Sequence, residues 1–239
     1  MNLPDWSFPI IAFLCGSVPF GLIIGRMNGV DIREHGSGNI GATNVWRTLG
    51  KKWGIPCFIL DVLKGLIPVL FVMNLLRYPG IDHTKILPLA ESFYREVEQH
   101  RGQFLHVLCG LCAILGHNFS PWVRFKGGKG IATSAGVLMA VFPGVAILLL
   151  IGIWYLVFIT SRYVSLASII AAAALPILTV WGAWNHGKFA DGSWNRSLLA
   201  FSFIAGIMAI YKHRTNIKRL LDGTESRFSK KSQSNDTSS

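Results

Sequence analysis

Charge is scarce in this sequence. Only 15% of its 239 residues are Asp, Glu, Lys or Arg, and just 12 are acidic, where an ordinary soluble domain carries about a quarter. Disorder and a solvated surface-rich domain are excluded on that ground. Cysteine is sparse as well. Cys15, Cys57, Cys109 and Cys112 are scattered through apolar runs, so no disulfide framework is expected. Cys109 and Cys112 have the CxxC redox spacing but no βαβ setting, and we read them as membrane-buried thiols. The first nine residues hold no Lys or Arg. A signal peptide would carry a basic start, so the first apolar run is expected to be retained as a membrane span.

What the chain has in abundance is apolar surface: 51% of residues are hydrophobic, with 8 Trp and 15 Phe. Apolar runs recur at 8–25, 54–76, 104–118, 131–142, 144–160, 164–184 and 197–211. Several reach the roughly 18–20 residues that cross a bilayer as helix, while 104–118 and 131–142 are short. Pro143 separates the fourth and fifth runs, because proline cannot continue a helix through its own amide. The expected fold is all-α: a polytopic integral membrane protein with about seven transmembrane helices.

The basic residues orient it. If seven spans alternate, 16 of the 23 Lys and Arg fall on one face, in segments 26–53, 118–130 and 161–163 and in the stretch from 212. Six fall on the other face, and Lys64 lies within a span. The positive-inside rule then places the N-terminus outside and the C-terminus in the cytoplasm. The net charge of +11 is thereby a topology signal, and no nucleic acid is needed to explain it. The outer insert from Arg77 to Gln103 holds an amphipathic piece around Glu91 to Gln99 and shows no chemistry. Residues 1–226 read as one domain. Residues 227–239 read as a polar tail with no apolar face, expected to be disordered.

Three cytoplasmic segments differ from ordinary membrane loops. In the first, residues 35–47, Gly36 to Gly41 fits GxGxxG but follows a membrane span where a dinucleotide fold needs a strand. Glycines still let successive amides face one concavity, and such nests bind anions. Ser37, Thr43 and Asn44 add neutral donors, and Arg47 adds a planar fork suited to phosphate. In the second, residues 116–133, the turn Lys126, Gly127, Gly128, Lys129, Gly130 lacks the frame of a Walker loop. A glycine-rich, basic turn opening an apolar helix nevertheless favours anions through free amides and the helix dipole. In the third, residues 211–225, a helix would put His213 and Asn216 on one face. A flexible basic loop and a juxtamembrane helix drawn to anionic lipid are the plainer alternatives for the first and third segments.

Ser165 and Ser168 open the sixth run, either lining a polar pocket or letting helices pack, as Gly21 and Gly25 do. Asp61 and Lys64, three apart within the second run, are expected to form a structural ion pair. His186 to Asp191 matches the HxxxxD dyad of an acyltransferase superfamily. It maps to the outer face, across the bilayer from the anion-binding segments, and is read as coincidence.

Taken together, the stretches 36–47, 61–65, 116–133, 162–168 and 213–219 with Glu225 resemble the PlsY family of bacterial acyl-phosphate:glycerol-3-phosphate acyltransferases, in their order and in the spacing within each motif. The likeness runs from about residue 8 to 226. It implies a seven-helix fold in the bacterial inner membrane, with the active site towards the cytoplasm. The implied reaction moves a fatty acyl group from acyl phosphate to the 1-hydroxyl of glycerol 3-phosphate, giving lysophosphatidic acid and phosphate, with neither acyl-CoA nor the HxxxxD dyad. By resemblance Ser37, Arg47, His213 and Asn216 are catalytic. Asn39, Thr43, Asn44, Lys126, Gly127, Gly128, Lys129, Gly130, Ser165 and Ser168 bind substrate, and Glu225 joins Asp61 and Lys64 in holding structure. Lys212 stands where the family pattern has arginine.

Acyl phosphate is already activated, so positioning, oxyanion stabilisation and neutralisation of the leaving phosphate suffice. Direct transfer without an acyl-enzyme is expected, with either His213 or a substrate phosphate oxygen taking the hydroxyl proton. No metal or cofactor is called for. The main rival is a small membrane transporter of an organic phosphate, which would need more polar residues at mid-membrane than Asp61 and Lys64 supply.

Overall fold

A computed structural model of the chain describes residues 4–75, 96–190 and 192–228. Residues 76–95, which hold most of the expected Arg77 to Gln103 insert and of its amphipathic piece, and the tail from 229 lie outside the described residues. Every regular element among the described residues is helical. In chain order these are α1 (Ser7–Ser17), α2 (Phe20–Met27), α3 (Ala42–Leu49), α4 (Lys51–Leu75), α5 (Glu96–Asn118), α6 (Ile131–Val141), α7 (Gly144–Ser161), α8 (Val164–Asn185), α9 (Arg196–Lys212) and α10 (Arg214–Leu221). Among the described residues five stretches are long and apolar enough to cross a membrane: Ser7–Met27, Lys51–Phe71, Gly102–Val123, Gly144–Ser161 and Val164–Asn185. α6, with 11 residues, and α9, with 17, are shorter.

Three departures from the sequence reading matter for the site. The first apolar run is two helices, broken at Val18 and Pro19, because proline withholds an amide and pushes its predecessor out of helical backbone. The short run 104–118 belongs to a 23-residue helix, since polar residues from Glu96 extend α5 at its start. The glycine-rich segment after residue 35 runs into a true helix, α3, and does not stay a loop. Pro143 does cap α7.

Glycines set the closest helix approaches. A Cβ on Gly16 or Gly116 would strike backbone where α1 meets α5, and one on Gly65 or Gly136 would do so where α4 meets α6. Small residues let helix backbones approach, which is how apolar helices gain packing energy in lipid. Phe201 of α9, Val137 of α6, Ile114 and Cys109 of α5 and Val69 of α4 form the interior of this bundle. By contrast, Leu150 is the only buried residue of α7, and a half-buried stripe that includes Ile147, Trp154 and Phe158 marks its packed face while the rest points outward. Gly21 and Gly25 of α2 admit the Ile40 carbonyl and the Val30–Ile32 segment, which seats the polar 30–41 stretch against the helix.

Candidate active site

The polar residues gather where helices end. Asn44, in the first turn of α3, is buried, and its side chain is fully spent on the preceding loop. Its Nδ2 donates to the carbonyls of Ile32 (2.8 Å) and His35 (3.1 Å), and its Oδ1 accepts from the Ser37 amide (2.8 Å). The Gly38 amide donates to the His35 carbonyl, and the Gly41 amide to Asn39 Oδ1. This corrects the expected anion nest: three amides of the 36–41 turn are consumed by the loop itself. Asn44 and Asn39 shape that loop, and Asn44 has no donor left for a ligand. Thr43 and Arg47 lie one turn apart on α3 and share a face.

The 126–130 turn is built on α5. Gly128 donates its amide to the His117 carbonyl at 3.1 Å, and Lys126 donates its own to Val123. A Cβ at Gly127 would meet the His117 carbonyl, and one at Gly128 would meet the His117 ring. Gly130 caps α6 in left-handed backbone at φ +80°, which glycine adopts without strain. The turn carries Lys129 inward, where Nζ donates to Asn216 Oδ1 at 2.5 Å. Lys126 is exposed and is not among the charges that act on Lys129.

His213 sits at the junction of α9 and α10. Its Nδ1 lies 2.8 Å from the Ala209 carbonyl. A carbonyl only accepts, so Nδ1 carries the proton and Nε2 is left with a free lone pair. Burial, with Lys129 nearby, pushes this imidazole down to about 4, so it is neutral at pH 7. One turn on, buried Asn216 relays between charges: Oδ1 takes the Lys129 bond and Nδ2 donates to Glu225 Oε1 at 2.7 Å. Glu225 also accepts from Ser165 Oγ at 2.6 Å and from Arg219 Nε at 2.8 Å. Burial opposes the charge on Glu225, but these three bonds hold its carboxyl below the usual range.

Arg47 completes the cluster. It is half-buried, and burial works against its charge while Glu225 supports it and Arg219 opposes it. Lys129 is lowered to about 8, first by burial, and the charges of Arg219, Arg47 and Lys212 act in the same direction. Arg47, Lys129 and the 212–225 stretch, far apart along the chain, therefore meet at one place, while the bonds of the 36–41 turn run to Asn44 and within its own loop. Ser168 is elsewhere engaged: its Oγ donates to Val164 and accepts from Trp154 Nε1, which ties α8 to α7. Asp61 and Lys64 form a buried ion pair at 2.7 Å, with Lys64 also donating to the Val18 carbonyl. His186 lies at the far end of the 22-residue α8 from Ser165, roughly 30 Å away by helix rise, and Asp191 is outside the described residues. Cys109 and Cys112 are free thiols on α5, Cys109 fully buried.

Sequence reasoning missed Ser226, Arg227 and Phe228. The Ser226 carbonyl accepts from Arg47 Nη2 at 3.0 Å, Arg227 Nε donates to the Tyr163 hydroxyl at 3.0 Å, and the Phe228 amide donates to the Arg162 carbonyl at 2.8 Å. Arg227 and Phe228 thus belong with the folded part, where the sequence reading had put them in the tail. Phe228, an aromatic three residues past Glu225 at the start of an otherwise polar stretch, was the available signal.

Fold and site together define an integral membrane protein whose helix ends bring together a cluster of cations beside a neutral histidine. The sequence profile described as Glycerol-3-phosphate acyltransferase matches residues 6–223. A glycerol-3-phosphate acyltransferase from Desulforudis audaxviator is 41% identical over 222 residues, 92% of this chain and 93% of that one. Two crystal structures of PlsY, an integral membrane glycerol 3-phosphate acyltransferase, are each 36% identical and cover 94% of this chain. The glycerol 3-phosphate form has a TM-score of 0.74 over 96% of its chain, and the lysophosphatidic acid form 0.72 over 95%. The chain belongs to the PlsY family of glycerol-3-phosphate acyltransferases. It is a multi-pass membrane acyltransferase of phospholipid synthesis.

Proposed function

We propose that this protein moves a fatty acyl group from acyl phosphate to the 1-hydroxyl of glycerol 3-phosphate, giving lysophosphatidic acid and inorganic phosphate. The observation that carries this reading is a charge imbalance: Arg47, Lys129 and Arg219 all act around the single carboxylate of Glu225. A phosphate dianion would offset that excess, and both reactants carry phosphate. The glycerol 3-phosphate and lysophosphatidic acid forms of the related PlsY fit the same acceptor and product.

In the proposed step, the 1-hydroxyl oxygen attacks the acyl carbonyl carbon and its proton passes to His213 Nε2. The carbon–oxygen bond to phosphate then breaks, and the leaving phosphate takes the electron pair, with the proton returned from His213. Arg47 and Lys129 stabilise the oxyanion and the leaving phosphate, while Asn216 orients Lys129. Ser37, on the loop that Asn44 braces, hydrogen-bonds a reactant and stays unacylated. Thr43, Lys126, Gly127, Gly128 and Gly130 complete the phosphate surroundings. We place the site on the cytoplasmic side of the bacterial inner membrane, with seven spans, the N-terminus outside and the C-terminus inside. α6 and α9 supply the sixth and seventh spans despite their length, since short helices can cross beside a thinned or water-filled region.

Incubating the purified protein with acyl phosphate and glycerol 3-phosphate should yield lysophosphatidic acid and phosphate in equal amounts. Product from acyl-CoA but not from acyl phosphate would refute the donor. A radiolabelled acyl chain trapped on Ser37 would refute direct transfer.

A further inference from the structure

The three residues after Glu225 form a short strap across parts of the molecule that do not pack on each other. α3 packs on α4, and α7 packs on α8. Phe228 spans the space between the first and third of these: its ring meets Trp46 of α3 edge-on at 5.5 Å between centroids and Phe158 of α7 at 5.8 Å. Aromatic pairs at this spacing are favourable edge-to-face contacts. Its amide is fixed to the Arg162 carbonyl at 2.8 Å. Arg227 holds Tyr163 twice, by the bond to its hydroxyl and by stacking its guanidinium 5.4 Å from the ring centre. Both anchors lie on the α7–α8 turn, next to Ser165, which bonds Glu225.

Between the anchors and Glu225 stands Ser226, whose carbonyl accepts one N–H of Arg47. A guanidinium has five donors in a rigid plane. One bond to a fixed carbonyl sets that plane and leaves four donors for an anion. We propose that Ser226–Phe228 is a positioning strap that seats Arg47 for acyl transfer, with Phe228 and Arg227 as its anchors. This rests on the acyltransferase reading above.

The test uses the full-length protein, assayed for lysophosphatidic acid, with unfolding temperature measured alongside. A displaced guanidinium misplaces the transition-state charge, and a shift on the order of 1 Å can lower rate by about 100-fold. Phe228→Ala should lower kcat by about tenfold or more, at an unfolding temperature close to wild type, and Phe228→Trp should restore most of it. In an Arg47→Lys background, Phe228→Ala should have little further effect, since the planar fork it seats is already gone. Arg227 is exposed, so Arg227→Ala will fold and should lower kcat in the same direction. Equal loss from Phe228→Ala in both backgrounds would overturn the strap, as would wild-type kcat in that variant. Should Phe228→Ala fail to fold, wild-type kcat in Arg227→Ala would overturn it. An inactive wild type would instead sink the acyltransferase reading itself, which keeps the two failures apart.

Discussion

Gly128 offers a direct test of how the phosphate turn is held. Its amide is bound to the His117 carbonyl, and its Cα faces the His117 ring. A methyl group there would lie 2.9 Å from Cε1 and 3.0 Å from Cδ2, with Nε2 nearer still. Carbon contacts settle near 3.5 Å, so the Cε1 contact alone demands a shift of roughly 0.6 Å, and the nearer Nε2 demands more. His117 is 4% exposed, on the last turn of an α5 that Gly116 locks against α1, so the ring has nowhere to swing. The turn is the softer partner, and Lys129 moves with it. Overpacking of this kind costs about 1–3 kcal/mol, which at 1.4 kcal/mol per tenfold is about 5- to 140-fold. We expect Gly128→Ala to raise KM for glycerol 3-phosphate by a factor in that range, with a smaller change in kcat. The assay is initial-rate lysophosphatidic acid formation at saturating acyl phosphate. Removing the ring should remove the penalty: Gly128→Ala placed on His117→Ala should change KM little further. An unchanged KM in the single variant, or an undiminished effect in the double, would refute the steric argument.

Lys129 is a cation below about 8 and loses its charge as pH rises through that value. KM for glycerol 3-phosphate should therefore climb above pH 8 in the wild type and stay level in Lys129→Arg, and a level wild-type profile would count against its role. Arg47→Ala should lower kcat/KM by orders of magnitude while the unfolding temperature holds, and near-wild-type turnover would remove Arg47 from the mechanism. Glu225→Gln replaces an acceptor that three donors need. Losing one charge-assisted bond of about 1.5–3 kcal/mol should lower the unfolding temperature by about 3–10 °C, and an unchanged transition would show that the carboxylate is not the hub.

Much of the architecture is legible in composition, and what escaped has local causes. Among the described residues each of the seven apolar runs is mainly helical, because apolarity over a bilayer's length is a long-range signal that survives local detail. The break at Pro19 is invisible to that signal, since a proline inside an apolar run leaves the run apolar. α3 was hidden by its own glycines: Gly36, Gly38 and Gly41 read as a phosphate nest, yet the helix that follows supplies Asn44 to consume the Ser37 amide, and Gly41 donates to Asn39. Residue types showed which amides the turn possessed but not which were already bonded. The convergence of Arg47, Lys129, His213 and Asn216 was readable through the charge rule, which assigned their segments to one face, and through the family resemblance. The Asn216–Glu225–Ser165 linkage follows from the register of α8 and α10, which no one segment's sequence encodes.

The same geometry explains why so many cations do not all serve the substrate. Interrupting helices inside a membrane protein frees carbonyls that lipid cannot satisfy. The Val18 carbonyl, exposed by the break before α2, takes Lys64, and Asp61 balances that lysine. The Ser17 carbonyl takes Ser120 Oγ, while Ser17 Oγ takes Trp122 Nε1. The Asn118 carbonyl, at the C-terminal end of α5, takes Lys212. Arg219 is bound to Glu225. Three of the cations therefore answer groups of the protein itself. Arg47 and Lys129 bind only neutral oxygens, of Ser226 and Asn216. Neutral partners leave their charge uncancelled in a half-buried place, which a phosphate dianion would cancel and a neutral lipid would not. Broken helix ends thus engage Lys64 and Lys212, Glu225 engages Arg219, and in the proposed site Arg47 and Lys129 remain to meet a phosphate.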